Sequence, residues 1–251
     1  MHLLNVQKKY IYIKNIPYKG LSILNRHIPL NSDSTEKLKT MAHYSVPEEI
    51  AHSVSHGLAA LLSVAACIFL TSTAVRNQKG TISVFAVTFF GISFIFLYLI
   101  SFLYHTVQNE NAKKTLRIFD HCMIYVLIAA SYAPACLCLI RGFWGYSVFA
   151  VNFLCMIFGI VINIIDLQKY YKLSQALYII MGWLILVAIY PMFKAVPLKG
   201  FILLAAGGVL YTVGVIFYRM KSVKYMHFIF HLFVIAGCIP HFIFVYRYCC
   251  L

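Results

Sequence analysis

The sequence predicts an all-α fold, a polytopic membrane bundle of seven transmembrane helices, and three observations carry that expectation. Hydrophobic residues make up 62% of the chain and charged residues only 11%, too few to coat a soluble domain. The apolar residues run in long blocks, with the charges confined to short segments between them. Seven such blocks each come near the ~20 residues that cross a ~30 Å hydrocarbon layer.

The first block, 52–75, opens at His52 and stops before Arg76. The second, 82–107, follows Gly80 and gives way to a polar run that includes Lys113 and Lys114. The third, 120–140, follows Arg117 and ends at Arg141 and Gly142, and the fourth, 146–166, follows Gly145 and ends on Asp166. The fifth, 174–193, lies between Lys172 and Lys194, and the sixth, 200–218, between Pro197 and Arg219. The seventh, 225–247, follows Lys224. Glycine and proline mark the turns between blocks on one side. Residues 1–50 form a basic, polar tail, and residues 51–251 the seven-helix domain.

Basic residues set the direction of insertion. The tail carries seven, among them Lys8, Lys9 and Lys14. Eight more fall on its side, at Lys113, Lys114, Arg117, Lys169, Lys172, Arg219, Lys221 and Lys224. The other side has six: Arg76, Lys79, Arg141, Lys194, Lys199 and Arg247. An excess of lysine and arginine on cytoplasmic segments then places the N-terminus in the cytoplasm and the C-terminus outside. No charged segment of the tail is followed by a ~7–15-residue apolar core, so it is not a secretory signal by the usual criteria. It suits a cytoplasmic extension attracted to anionic lipid, an organelle presequence, or a true start at Met41. The membrane is therefore a plasma membrane or an organelle membrane.

The excess of 21 Lys plus Arg over 7 Asp plus Glu follows from topology and from membrane lipids as partners. No helix carries a basic stripe with interleaved aromatics, so nucleic acid is not an expected partner. The eight cysteines contain no CxxC pair and sit mostly singly in apolar blocks, as small hydrophobes. Cys136, Cys138, Cys249 and Cys250 fall at outer helix ends, where an external disulfide is geometrically conceivable. Asp166 can pair with Lys169 three residues on. The small residues of AAGG, 205–208, suit close helix packing, and Pro134, Pro191 and Pro240 suit kinks or a lateral lipid entrance.

Ionisable residues gather at the inner helix ends: His52 and His56, Ser101 with His105, Asp120 with His121, and His227 with His231. Such groups are costly at membrane depth and tend to be paired or functional. Residues four apart share one helical face, so His227 and His231 can reach a single metal, and Ser101 lies one turn from His105. Zinc accepts three imidazoles and keeps a fourth position for water, which Asp120 could hold. The competing account makes each histidine a headgroup-level anchor and pairs Asp120 with Arg117.

The stretches EEIAHSVSHGLAALL, SFLYHT, FDHCMIYVLIAASYAP, MGWL, AAGGVLYTVGVIFYRM and HFIFHLFVIAGCIPHF occur in that order across roughly residues 45–247. Together they resemble the hemolysin III family, within the wider progestin and adipoQ receptor group. The resemblance implies seven transmembrane helices with the N-terminus inside, and zinc held by His105, His227 and His231. It implies that Asp120 approaches the zinc through water, and it matches the family's first-span histidine to His56. His52 stands where relatives usually carry asparagine, and His121 adjoins Asp120, so both join His56 as candidate supporting residues.

Three functions are compatible with these features. The leading one is a zinc-dependent hydrolase of a lipid amide or ester, with Asp120 as general base and Ser101 steadying the oxyanion or a ligand. The second is a pore-forming cytolysin, as a homo-oligomer, in which zinc only ties helix ends together. The third is a receptor that senses a lipid-like ligand. The orientation has its own test. A protease-accessible tag after Leu251 is expected to be cleaved from the non-cytoplasmic side and one before His43 protected, whereas both termini on one side would exclude seven crossings.

Overall fold

The structure, a computed structural model, describes residues 44–251. The expectations for the tail up to residue 43 lie outside the described residues. Seven helices long and apolar enough to cross a membrane follow one another: α1 (Val46–Arg76), α2 (Thr81–Thr106), α3 (Glu110–Ile140), α4 (Gly142–Asp166), α5 (Tyr171–Ala195), α6 (Leu198–Arg219) and α7 (Met226–Cys250). No strand occurs among the described residues. In hydrocarbon every backbone polar group needs an internal partner, and a helix supplies it within one segment.

Several helices extend beyond the apolar blocks, for reasons local to their sequences. α1 starts at Val46 rather than at 52 because Ser45 and Glu48 build its N-terminus. The Glu48 carboxylate accepts the Ser45 backbone N–H at 3.0 Å and its hydroxyl at 2.7 Å. α3 starts ten residues early, at Glu110, because Asn109 caps it, accepting the N–H groups of Asn111 and Ala112 at 3.1 and 3.0 Å. Asp120 and His121 therefore lie well inside α3 and not at its first turn. Asp166 accepts the backbone N–H groups of Gln168 and Lys169 at 3.0 and 2.9 Å, so its carboxylate closes α4 instead of pairing with the Lys169 ammonium.

Two of the three prolines, Pro134 and Pro191, accompany departures from regular α-helix. Pro134 opens a π-helical stretch, Pro134–Ile140, that ends α3. α5 tightens to a 3₁₀ stretch at Leu184–Ala188 before Pro191. Tyr132 of α3 repairs that break, since its hydroxyl donates to the Gly182 carbonyl at 3.0 Å and accepts the Ile185 N–H at 2.9 Å. Pro240 sits inside α7, which stays helical from Met226 to Val245. At the end of the bundle that holds Arg76 and Arg141, Cys249 of α7 points its thiol at the Pro134 carbonyl, 3.7 Å away.

Close packing decides which faces meet. Gly159 of α4 lies flat against the Tyr125 ring of α3, where an added Cβ would stand 2.2 Å from a ring carbon. Gly207, in the AAGG run of α6, abuts the His241 ring of α7. Among consecutive helices α5 and α6 pack least closely. A cavity of about 170 Å³ opens beside them, lined mainly by α3, α5, α6 and α7. Gly159→Ala is expected to destabilise the bundle by about 1–3 kcal/mol through overpacking. Thermal unfolding in detergent measures it, with Gly80→Ala as control because nothing lies within 4 Å of that added Cβ.

Candidate metal centre

Two adjacent glutamates at the start of α1 bring the histidine-bearing helix ends together. The Glu48 carboxylate accepts the backbone N–H of Tyr225 at 2.9 Å, directly ahead of α7. Tyr225 has left-handed backbone geometry, φ 62°, which is uncommon for a bulky residue, and this turn delivers Met226 into the helix. The neighbouring Glu49 reaches the other way. Its Oε2 lies 2.6 Å from His105 Nδ1 in the last turn of α2, and its Oε1 accepts Lys113 Nζ of α3 at 2.6 Å. Three other chain segments thus converge on one dipeptide of α1.

The result is a nest of imidazoles. Ligand atoms of His105, His227 and His231 lie within 4.8 Å of one another, and His105 and His231 are buried. His227 and His231, one turn apart on α7, face each other through their Nε2 atoms at 3.1 Å. His52 is fully buried, its ring centroid 4.5 Å from that of His105, 4.9 Å from His227 and 5.1 Å from His231. His56 stacks on the His231 ring at 3.7 Å, with 10° between the planes, and meets Tyr98 edge-on. Tyr44 stacks on His227 at 5.0 Å, and burial raises its phenol above the ordinary tyrosine pKa, so it stays neutral.

Asp120 and Ser101 meet across α2 and α3, the carboxylate interacting with the Ser101 hydroxyl. Asp120 is not part of the His105, His227 and His231 group. His121 belongs to a neighbouring network. Its Nδ1 lies 2.8 Å from the Arg117 carbonyl and its Nε2 2.9 Å from the Tyr218 hydroxyl. Tyr218 in turn packs its ring 5.7 Å from His227. Both nitrogens of His121 are therefore engaged, and it reaches the nest only through Tyr218.

These residues fit a metal ion. His105 Nε2 is buried without a protein partner while its Nδ1 is fixed on Glu49. A carboxylate that orients the far nitrogen is the usual support of a metal-bound histidine. The 3.1 Å separation of the His227 and His231 Nε2 atoms also approaches the edge of a tetrahedron with ~2.0–2.1 Å metal–nitrogen bonds. Three imidazoles suit zinc, copper, iron or nickel. A second group, Glu49, His52 and His105, meets the same distance condition.

The residues that sequence reasoning missed are Glu48, Glu49, Lys113 and Tyr218. Glu49 left a usable signal, since Glu49, His52 and His56 follow at i, i+3 and i+7 and so share one helical face. Its partnership with α2 and α3 left none, because Lys113 and His105 are remote in sequence.

Comparison with known proteins agrees with this architecture. The pattern described as "Haemolysin-III related" matches residues 44–242. "Hemolysin-3" of Bacillus cereus is 42% identical over 204 residues, covering 81% of this chain and 92% of that protein. "Hemolysin-3 homolog" of Bacillus subtilis (strain 168) is 37% identical over 206 residues, covering 82% and 96%. A more distant likeness, 27% over 167 residues, covers 63% of this chain and 68% of the "Monocyte to macrophage differentiation factor" of Homo sapiens.

Proposed function

The chain belongs to the haemolysin-III-related family of integral membrane proteins, and we propose that it hydrolyses an amide or ester bond of a membrane lipid at a zinc ion. The observation that carries this reading is the junction between the cavity and the imidazole nest. The cavity is lined by apolar residues from Met192 and Phe201 to Tyr218 and Phe230. Phe230 and Tyr218 also contact the rings of His227 and His231. An acyl chain in the cavity would bring its polar end to the histidines, at the cytoplasmic face in the orientation read from the basic residues. The loose α5–α6 pair offers the lipid an entrance.

His105, His227 and His231 would hold the zinc. When bound, it would lower the pKa of a water towards ~7 and polarise the substrate carbonyl. Glu49 fixes the His105 ring through Nδ1, and Lys113 neutralises the carboxylate that does so. Asp120 takes the proton from the attacking water and returns it to the leaving amine or alcohol. Ser101, one turn from His105 and facing Asp120, would steady the oxyanion or a ligand. His56 and Tyr44 brace the His231 and His227 rings by stacking.

Purified without chelators, the protein is expected to retain about one zinc per chain, substantially lost in His227→Ala or His231→Ala with a lower unfolding temperature. A stable wild-type protein without metal would end this reading. The chemistry is tested by reconstituting the protein with long-chain lipid amides and esters and following fatty-acid release. Asp120→Asn should keep its zinc and lose release by about 100-fold or more, because an amide cannot accept the proton. The same vesicles carry a trapped dye. Leakage without product, unchanged in Asp120→Asn, would favour a pore in which the metal is structural.

A further inference from the structure

His52 is unexplained by that site. It is fully buried, and neither of its ring nitrogens has a hydrogen-bond partner among the described residues. A buried imidazole with both ring nitrogens unpaired bears the desolvation cost of each, so the pair calls for a partner. Its Nδ1 points at Glu49 Oε2, 3.7 Å away, and that same oxygen lies 2.6 Å from His105 Nδ1. Ligand atoms of Glu49, His52 and His105 all lie within 4.8 Å of one another.

We propose that Glu49, His52 and His105 form a second metal site, which binds a divalent ion of the zinc class beside the first. His105 is the shared residue, with Nδ1 turned to Glu49 and Nε2 left for His227 and His231. Two imidazoles and a carboxylate make a borderline donor set, suited to zinc, cobalt, iron or manganese rather than to calcium or magnesium. Around a tetrahedral ion with ~2.0–2.1 Å bonds, neighbouring ligand atoms stand roughly 3.3 Å apart. The 3.7 Å and 2.6 Å separations bracket that value, so side-chain shifts of under about 1 Å admit the ion.

Lys113 does not block the site. Its ammonium rests on Oε1, whereas the two imidazoles face Oε2. It offsets the carboxylate charge, so the second ion binds more weakly than the first and releases the proton of the His105 Nδ1–H···Oε2 hydrogen bond. Sharing His105, and Glu49 as the carboxylate that orients it, makes occupancy of the two sites interdependent, whereas His52 belongs to this site alone.

The test is zinc stoichiometry of full-length protein in detergent, titrated to saturation and read by metal analysis, with cobalt spectra as a second measure. Wild type is expected to saturate at about two ions per chain, and His52→Phe and His227→Ala at about one each. Glu49→Gln should also lose the second ion. His52→Phe replaces two unpaired nitrogens by an apolar ring of similar shape, so its unfolding temperature in chelator should equal or exceed that of wild type. In excess zinc it should fall below wild type. Saturation of wild type at one ion, lost in His227→Ala and kept in His52→Phe, would overturn this proposal and leave the first site standing. One ion lost in His52→Phe but kept in His227→Ala would support this site and sink the other. Two ions retained in His52→Phe would also overturn it.

Discussion

Hydrocarbon offers no hydrogen-bond partner, and this constraint governs the whole molecule. Backbone groups are satisfied by seven helices, and where a helix breaks, a side chain repairs it, as Tyr132 does for α5. Polar side chains meet the same demand. Asn152 donates to the Met181 carbonyl, Ser174 to the Asn163 side chain, and Trp183 to Thr212, so that polar contacts join neighbouring helices. Tyr98 and Tyr211 both point their hydroxyls at the Cys238 sulfur. Against this background, the imidazole nest gathers most of the buried unpartnered polar atoms among the described residues, and that concentration calls for a ligand.

Glu48 and Glu49 show how little sequence is needed to assemble that nest. One carboxylate caps its own helix and holds the turn before α7, and the other spans to α2 and α3. Buried charge is expensive unless paired or hydrogen-bonded; Glu49 is paired with Lys113, and Glu48 accepts hydrogen bonds from Ser45 and the Tyr225 backbone. Their placement in the first turn of α1 adds the favourable field of a helix N-terminus. The same two residues therefore cap a helix, align three others and fix the His105 ring, which makes the imidazole nest and the bundle inseparable in folding.

The proposal of a lipid substrate rests on the physical character of the cavity. Its walls are mainly aliphatic and aromatic, with Ser131, Gln175, Thr212 and His241 among them, and the helices beside it are the least closely packed consecutive pair. An acyl chain bound there would exchange lipid contacts for protein contacts at little cost, and its polar head would meet the histidine end. Tyr218 joins the two parts, lining the cavity, bonding His121 and packing on His227.

Fold class, span number and the histidines of α2 and α7 were legible in the sequence because they rest on local pattern. Block length reports the hydrocarbon thickness, and the i, i+4 spacing of His227 and His231 reports one helical face. Helix starts were less legible, since Ser45 and Asn109 extend α1 and α3 through caps that hydropathy does not register. The tertiary structure alone decided that Glu49 faces His105 and Lys113, that His52 lies among the other imidazoles, and that His121 turns to Tyr218. Those pairings depend on how each helix is rotated and how deep it sits. Close contacts such as Gly159 against Tyr125 set both, between residues far apart in the chain.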